Sequence, residues 1–413
     1  MGKYILVGWL VDGSGGPIRE KVVLRIGGGR FTAVASVADF SPYELSQVVD
    51  LSHCTVLPPL VDCHLHLSMS GTTDPQAREE GRSAGYDELR PVMLRHLEDL
   101  FTHGVLAVRD GGDRGGFALR LRDDGGMHPA VIIRQAGRAW HRQGRYGALI
   151  GRNPGEQQSL AEACAGEEAA IDQIKLVNSG LNSLERFAAE TEPQFTAAEI
   201  AEVVRIAVSQ GRRVMAHANG VVPVRRAIEG GVHSIEHGYF MGTENLELLA
   251  EKGVVWVPTL FTMKAFATNP ASGIKGLDRQ VAEKNLAHQL AQLATARRLG
   301  VTVALGSDAG SPGVLHGESL VEEVRLVMKA GYTLAEAVHC ATVNGAQLLG
   351  LEEGFGPLVT GARANFLVAR GGPAQLPRKL GFLEAIYLDG EATALYRRNP
   401  VKHVSPDGST AEG

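Results

Sequence analysis

The chain has 413 residues, 44% of them hydrophobic and 21% charged, with a net charge of −5. That is the balance of an ordinary globular protein, with length for two or three domains or for one large barrel. There is no basic field, and no apolar run approaches the roughly 20 residues of a membrane span, so neither nucleic acid nor a membrane is an expected partner.

Four cysteines, Cys54, Cys63, Cys164 and Cys340, form no CxxC pair, which suits a reduced, cytoplasmic protein. The first apolar stretch, Tyr4–Val11, is too short for a secretion signal and ends in a turn, so it reads as a strand. Further β-like runs follow at Val22–Ile26, Phe31–Val37 and Val48–Leu51, with a short helical patch around Tyr43–Val48. From residue 56 the texture changes to apolar runs alternating with amphipathic helices. Eight such runs can be counted: Val56–His64, Val105–Gly111, Ala130–Ala136, Gln173–Val177, Arg213–Ala218, Ser234–Gly238, Val254–Leu260 and Thr302–Asp308. Helices are expected between them, for example over Ala197–Gln210, which opens on a capping-box spacing, and over Val281–Leu299. Beyond Gly361, β-like runs return at Asn365–Ala369, Ala385–Tyr387 and Thr393–Tyr396. The expected fold is α/β, a (β/α)8 TIM barrel over residues 59–360, with a small β-sandwich domain formed from both chain ends, 1–58 and 361–413.

Barrels of this type work at the C-terminal ends of their strands. His64 and His66 end the first run and, two apart on a strand, share a direction. His217 ends the fifth run, His237 the sixth and Asp308 the eighth. Any one of these, taken alone, reads more readily as structure: a hydrogen-bonded histidine, or an N-cap aspartate. Four features at the same end of four strands point instead to a divalent metal site. Lys175 lies inside the apolar fourth run, and from composition alone it reads as a snorkelling or ion-paired lysine. His96, His103, His288 and His339 fall in predicted helices without evident partners, and His233 reads as packing. By strand parity Glu236 faces the helix layer, and Asp110, beside Arg109, is a candidate for orienting a ligand histidine.

The segment Val56-Leu57-Pro58-Pro59-Leu60-Val61-Asp62-Cys63-His64-Leu65-His66 resembles the opening signature of the amidohydrolase superfamily, with Pro59 where glycine is usual. Lys175, Ala216-His217-Ala218, Ser234-Ile235-Glu236-His237-Gly238, Gly306-Ser307-Asp308-Ala309-Gly310 and the closing Ala341-Thr342-Val343-Asn344-Gly345-Ala346 extend the likeness over nearly the whole chain. The resemblance implies two divalent ions, zinc being the first expectation, and a carboxylated Lys175 bridging them. His64, His66 and Asp308 would hold one ion, and His217 and His237 the other. A bridging hydroxide would attack the substrate carbonyl, with Asp308 as general base and then acid.

Single-ion deaminases of the superfamily lack the lysine and usually carry a glutamate three residues past the strand-5 histidine, where this chain has Gly220. Hydrolysis is therefore favoured over deamination. The texture around Ile174–Gly180, Gln194-Phe195-Thr196, Ala216–Gly220, Pro258-Thr259-Leu260 and His316-Gly317-Glu318 resembles the Xaa-Pro/Xaa-Arg dipeptidase (prolidase-like) and imidazolonepropionase-related branch. There, a histidine in the loop after strand 3 binds the substrate carbonyl. His141 matches it in place, though it reads equally as a solvated loop residue. In the same loop Arg138 or Arg142 could grip a substrate carboxylate, as Arg145 and Arg152 also could, or each could be a solvated charge. Asn219 stands where some dipeptidases place a tyrosine. The expected activity is cleavage of an amide bond in a small molecule, a dipeptide or N-acyl amino acid. Lactone or phosphotriester hydrolysis is the alternative on the same site, and a retired binding protein is disfavoured because all six ligands are present. Assembly as a homo-oligomer stays open.

Overall fold

The computed structural model describes residues 2–269, 274, 276–351 and 353–393. Within them are sixteen strands. Both chain ends contribute to a single sheet: β1 Lys3–Leu10, β2 Arg19–Gly27, β3 Arg30–Ser36 and β4 Val48–Leu57 from the start. The central strands are β5 Leu60–Leu65, β6 Val105–Asp110, β7 Ile132–Gln135, β8 Ala139–Trp140, β9 Gly151–Arg152, β10 Gln173–Val177, β11 Arg213–Ala218, β12 Ser234–His237 and β13 Val255–Val257. The chain then returns to the first sheet with β14 Phe366–Arg370, β15 Leu383–Leu388 and β16 Glu391–Ala392. The run expected at Thr393–Tyr396 falls almost wholly outside the described residues. The helical patch near residue 43 is a single turn, Pro42–Leu45, capped by Ser41.

The central strands β5, β6, β10, β11 and β12 are short, mostly apolar and almost wholly buried, as strands covered on both faces must be. The central strands pair in parallel in two sheets, ordered β13-β12-β11-β10-β8-β9 and β5-β6-β7. Helices such as Ala197–Ser209 and Val221–Glu229 lie between them in sequence, and the long helix Arg279–Leu299 follows β13. The fold is thus α/β with parallel sheets.

The eighth expected strand, Thr302–Asp308, is not a regular strand. Its start bonds to β13, with Trp256 N–H donating to Thr302 O (2.9 Å) and Ala304 N–H to Trp256 O (3.0 Å). Its end bonds to β5, with Cys63 N–H donating to Leu305 O (2.8 Å) and Asp308 N–H to His64 O (2.7 Å). The ladder breaks where the backbones come closest: a Cβ at Gly306 would sit 2.7 Å from the Cβ of His64 and 2.8 Å from its nitrogen. Only glycine allows that approach. Asp62 fastens the same crossing by accepting from the Ser307 N–H (3.0 Å) and hydroxyl.

The terminal sheet has the order β16-β15-β14-β4-β1-β2-β3. Although β3 and β14 are far apart in that order, Phe31 meets Phe366 at 5.8 Å between ring centroids, and Phe366 stacks on Tyr387 at 4.4 Å. The sheet therefore curls over its own apolar face, which includes Ile5, Val7, Leu24 and Val56. Phe366→Ala should cost about 3–5 kcal/mol, the usual result of emptying a packed aromatic site. Urea unfolding would measure it, and a loss below about 1 kcal/mol would mean that the curl does not depend on this cluster.

Candidate metal centre

His64, His66, Lys175, His217, His237 and Asp308 come together in the wall of one cavity of about 240 Å³. The parallel register aligns their strand ends: Val177 lies beside His217, and Ala218 beside His237. Ring centroids are 5.6 Å apart for His64 and His66, 4.8 Å for His64 and His237, and 4.6 Å for His217 and His237.

Each imidazole has one nitrogen engaged by an outer partner. His64 Nδ1 meets Glu236 Oε2 at 2.7 Å, and His66 Nδ1 the Gly112 carbonyl at 2.7 Å. His237 Nδ1 meets Thr259 Oγ1 at 2.7 Å, and His217 Nε2 the Gly180 carbonyl at 3.0 Å. The second nitrogens of His64 and His66 lie 3.5 and 3.6 Å from Asp308 Oδ1, and the three side chains form a compact set with metal-ligating capacity. One nitrogen pinned and the other left over is the arrangement that fixes a histidine as a metal ligand.

Burial first, then Lys175 and neighbouring histidines, pushes His66 and His217 down to about 4, and His64 and His237 well below their usual range. All four are neutral, with lone pairs available. Burial also lifts the Asp308 carboxyl to about 7 and lowers the Lys175 ammonium to about 8. Lys175 Nζ is buried with no hydrogen-bond partner among the described residues. An orphaned amine amid neutral imidazoles and a reluctant carboxylate fits a site completed by divalent ions.

The structure corrects the parity argument for Glu236. It faces inward, fully buried, bonded to His64 and, through Oε1, to Arg109 Nη2 at 2.7 Å. Arg109 also donates to the Cys63 carbonyl (2.6 Å) and to Ser234 Oγ (2.9 Å). Parity fails because His237 is not extended: its φ is +68°, which swings its side chain back toward the mouth. Asp308 (φ +56°) and Thr259 (φ +44°) share that left-handed conformation. At His237 the turn is held by Trp256 Nε1 and Gln289 Nε2, which donate to its carbonyl at 2.9 and 2.6 Å.

Asp110 does not touch a histidine; it accepts from the backbone N–H groups of Leu67 and Gly112, so it steadies the turn that His66 leans on. His96 has a partner after all, stacked on His316 at 3.8 Å with Nδ1 on the Leu67 carbonyl. His339 likewise bonds the Gly13 carbonyl, His103 the Asp99 carbonyl, and His288 packs on Phe240. His233 accepts from Val214 N–H, as a packing residue can.

The loop after β7 is arranged differently from the expectation. His141 is buried with Nδ1 3.0 Å from the Arg142 carbonyl, and it is not part of the cavity wall. Arg142 is held by the Gln194 carbonyl (2.6 Å) and Glu199 (2.8 Å), and Arg138 is exposed; neither lines the cavity. Arg145 donates to the Glu192 carbonyl, and Arg152 pairs with Glu167. From this loop Tyr146 reaches the wall instead, its ring 5.4 Å from that of His217. Gly220 has a φ of +90°, a backbone conformation that would strain a glutamate at that position.

The amidohydrolase family model matches residues 55–408, and the chain belongs to that family. It is therefore a hydrolase of the amidohydrolase type. It is 27% identical over 402 residues to the ochratoxinase of Aspergillus niger, covering 90% of this chain and 82% of that enzyme. An imidazolonepropionase of Rubrobacter xylanophilus is 25% identical over 383 residues, 84% of this chain and 83% of the relative. Among solved structures, a Xaa-Pro dipeptidase with methionine bound in its active site superposes with a TM-score of 0.79 at 25% identity, covering 95% of this chain and all (100%) of that one.

Glu236→Gln keeps the shape of the buried group but removes its charge. It should weaken metal binding about 10–100-fold, as loss of such supporting partners typically does. Titration against a competing chelator measures this, and wild-type affinity would rule out an orienting role for Glu236.

Proposed function

We propose that the protein is a binuclear metal-dependent hydrolase that cleaves the amide bond of a small molecule whose leaving group carries a carboxylate, such as a dipeptide or N-acyl amino acid. The observation that carries this reading is the set of four buried imidazoles, each with one nitrogen pinned, around an unpartnered Lys175. His64, His66 and Asp308 would hold one divalent ion, and His217 and His237 a second, with Lys175 joining the two once its amine carries CO2. When bound, such ions would supply an acidified water and polarise the substrate carbonyl.

The chain's own groups do the rest. Asp308 Oδ1 takes the proton of the water that attacks the carbonyl carbon, and delivers it to the nitrogen as the C–N bond breaks. Glu236 and Arg109 keep His64 from turning. The cavity, lined by the six clustered residues together with Met69, Leu149 and Met263, gives the scissile bond a largely apolar surround. The similar dipeptidase holds an amino acid, methionine, in its active site, which supports an amino-acid-bearing substrate. In architecture, we read the two parallel sheets and the crossing at 302–309 as one closed eight-stranded barrel over residues 59–360. The curled terminal sheet is then a small sandwich built on 1–58 and 361–413. No described helix is long and apolar enough to cross a membrane, in keeping with a cytoplasmic enzyme of small substrates.

Asp308→Asn should abolish turnover, by 10³-fold or more on the order of a lost acid–base and ligand group, while elemental analysis still finds metal bound. Near-full activity with metal saturated would refute its proton-transfer role. Lys175→Ala should lose activity too, and millimolar acetate or propionate should restore part of it by standing in for the carbamate; absence of any rescue alongside full metal content would argue against carboxylation. The substrate class is tested by screening dipeptides and N-acyl amino acids with zinc-loaded protein. No turnover there, with clear turnover of lactones or phosphotriesters, would overturn the amide reading.

A further inference from the structure

Apart from the six clustered residues, the charged groups lining the metal cavity among the described residues are Arg78 and Arg82, both positive. Arg82 is largely in solvent and paired with Glu79 at 3.1 Å. Arg78, on the helix Pro75–Ser83, is half-buried and held otherwise. Its Nη1 donates to the carbonyls of Ser70 (2.9 Å), Thr72 (3.3 Å) and Gly310 (3.3 Å). Gly310 stands two residues beyond Asp308, so this anchorage ties the guanidinium to the segment that carries a metal-site residue. No carboxylate of the described residues pairs with it.

A guanidinium drawn partly out of water without a counter-charge is costly. With Nη1 spent on backbone carbonyls, the Nε–H and Nη2–H edge remains, and that edge matches the two oxygens of a carboxylate. The arginines expected for this task do not reach the cavity. We infer that Arg78 is the specificity residue that clasps the α-carboxylate of the leaving amino acid, with Nη1 holding the fork in position. This inference rests on the amide-hydrolysis reading and narrows it: the leaving group is an amino acid with a free carboxylate, and its carboxamide is a poor substrate.

The test compares N-acetyl-L-leucine with N-acetyl-L-leucinamide, which share the scissile amide, on zinc-loaded wild type, Arg78→Gln and Arg78→Lys. Loss of a charge-assisted, bidentate contact should lower kcat/KM for the acid about 10–100-fold in Arg78→Gln, chiefly through KM. The Lys variant, charged but without the fork, should fall between. The carboxamide should change less than about threefold, and metal content not at all, which guards against misfolding. Calorimetry with L-leucine, the product, should show the same weakening without any turnover. Equal losses on acid and carboxamide, or L-leucine binding that is absent in wild type or unchanged in Arg78→Gln, would overturn the anchor. If wild type binds L-leucine through Arg78 but turns over neither compound nor any dipeptide or N-acyl amino acid of the wider screen, the amide reading fails while the anchor stands.

Discussion

Glu236 is shared between a guanidinium and an imidazole in the driest part of the molecule, and the centre depends on that sharing. A lone buried carboxylate or arginine would be expensive, and each is tolerable because the other satisfies it. Arg109 spends its remaining donors on Cys63 O and Ser234 Oγ, so one side chain from β6 ties together β5, which carries His64, and β12, which carries His237. Residues from the two parallel sheets are thereby held to one geometry. Preorganisation of this kind keeps the histidines directed, while burial keeps them neutral.

Much of this was legible in the chain itself. Seven of the eight expected parallel runs appear as strands within a few residues, because fully buried strands leave an unmistakable apolar run between helices. Five of the six clustered residues stood out for a related reason, as polar groups recurring at the same end of several runs, whereas Lys175 lies inside one and was marked only by the family resemblance. What could not be read is what departs from ideal geometry. Alternation assigned Glu236 to the wrong face because it assumed an extended His237, and nothing in the local residue types signals a left-handed histidine. The eighth run looked like a strand because its composition is that of one, while Gly306 and the left-handed Asp308 break its ladder.

The arginines illustrate a second limit. Arg138 and Arg142 were attractive because they sit near His141 in sequence, yet loop residues are placed by contacts that have no period. Gln194 and Glu199 claim Arg142, whereas Arg78, some sixty residues earlier in an exposed helix, comes to the cavity wall through three backbone carbonyls. A buried signal such as Lys175, an amine inside an apolar strand, is a better guide than proximity along the chain, because its cost demands an explanation.

The sheet built from both chain ends has a consequence for biosynthesis. β4 pairs on one side with β1, early in the chain, and on the other with β14, Leu57 lying opposite Leu367. At roughly 5–20 residues per second, the ribosome needs about 15–60 s to make the roughly 300 residues between them. For that interval the outer edge of β4 is an open row of backbone donors and acceptors, the sort of edge that recruits another chain. The nascent protein must therefore build its central layer while holding an unfinished sheet, and the last strands to emerge are the ones that close it.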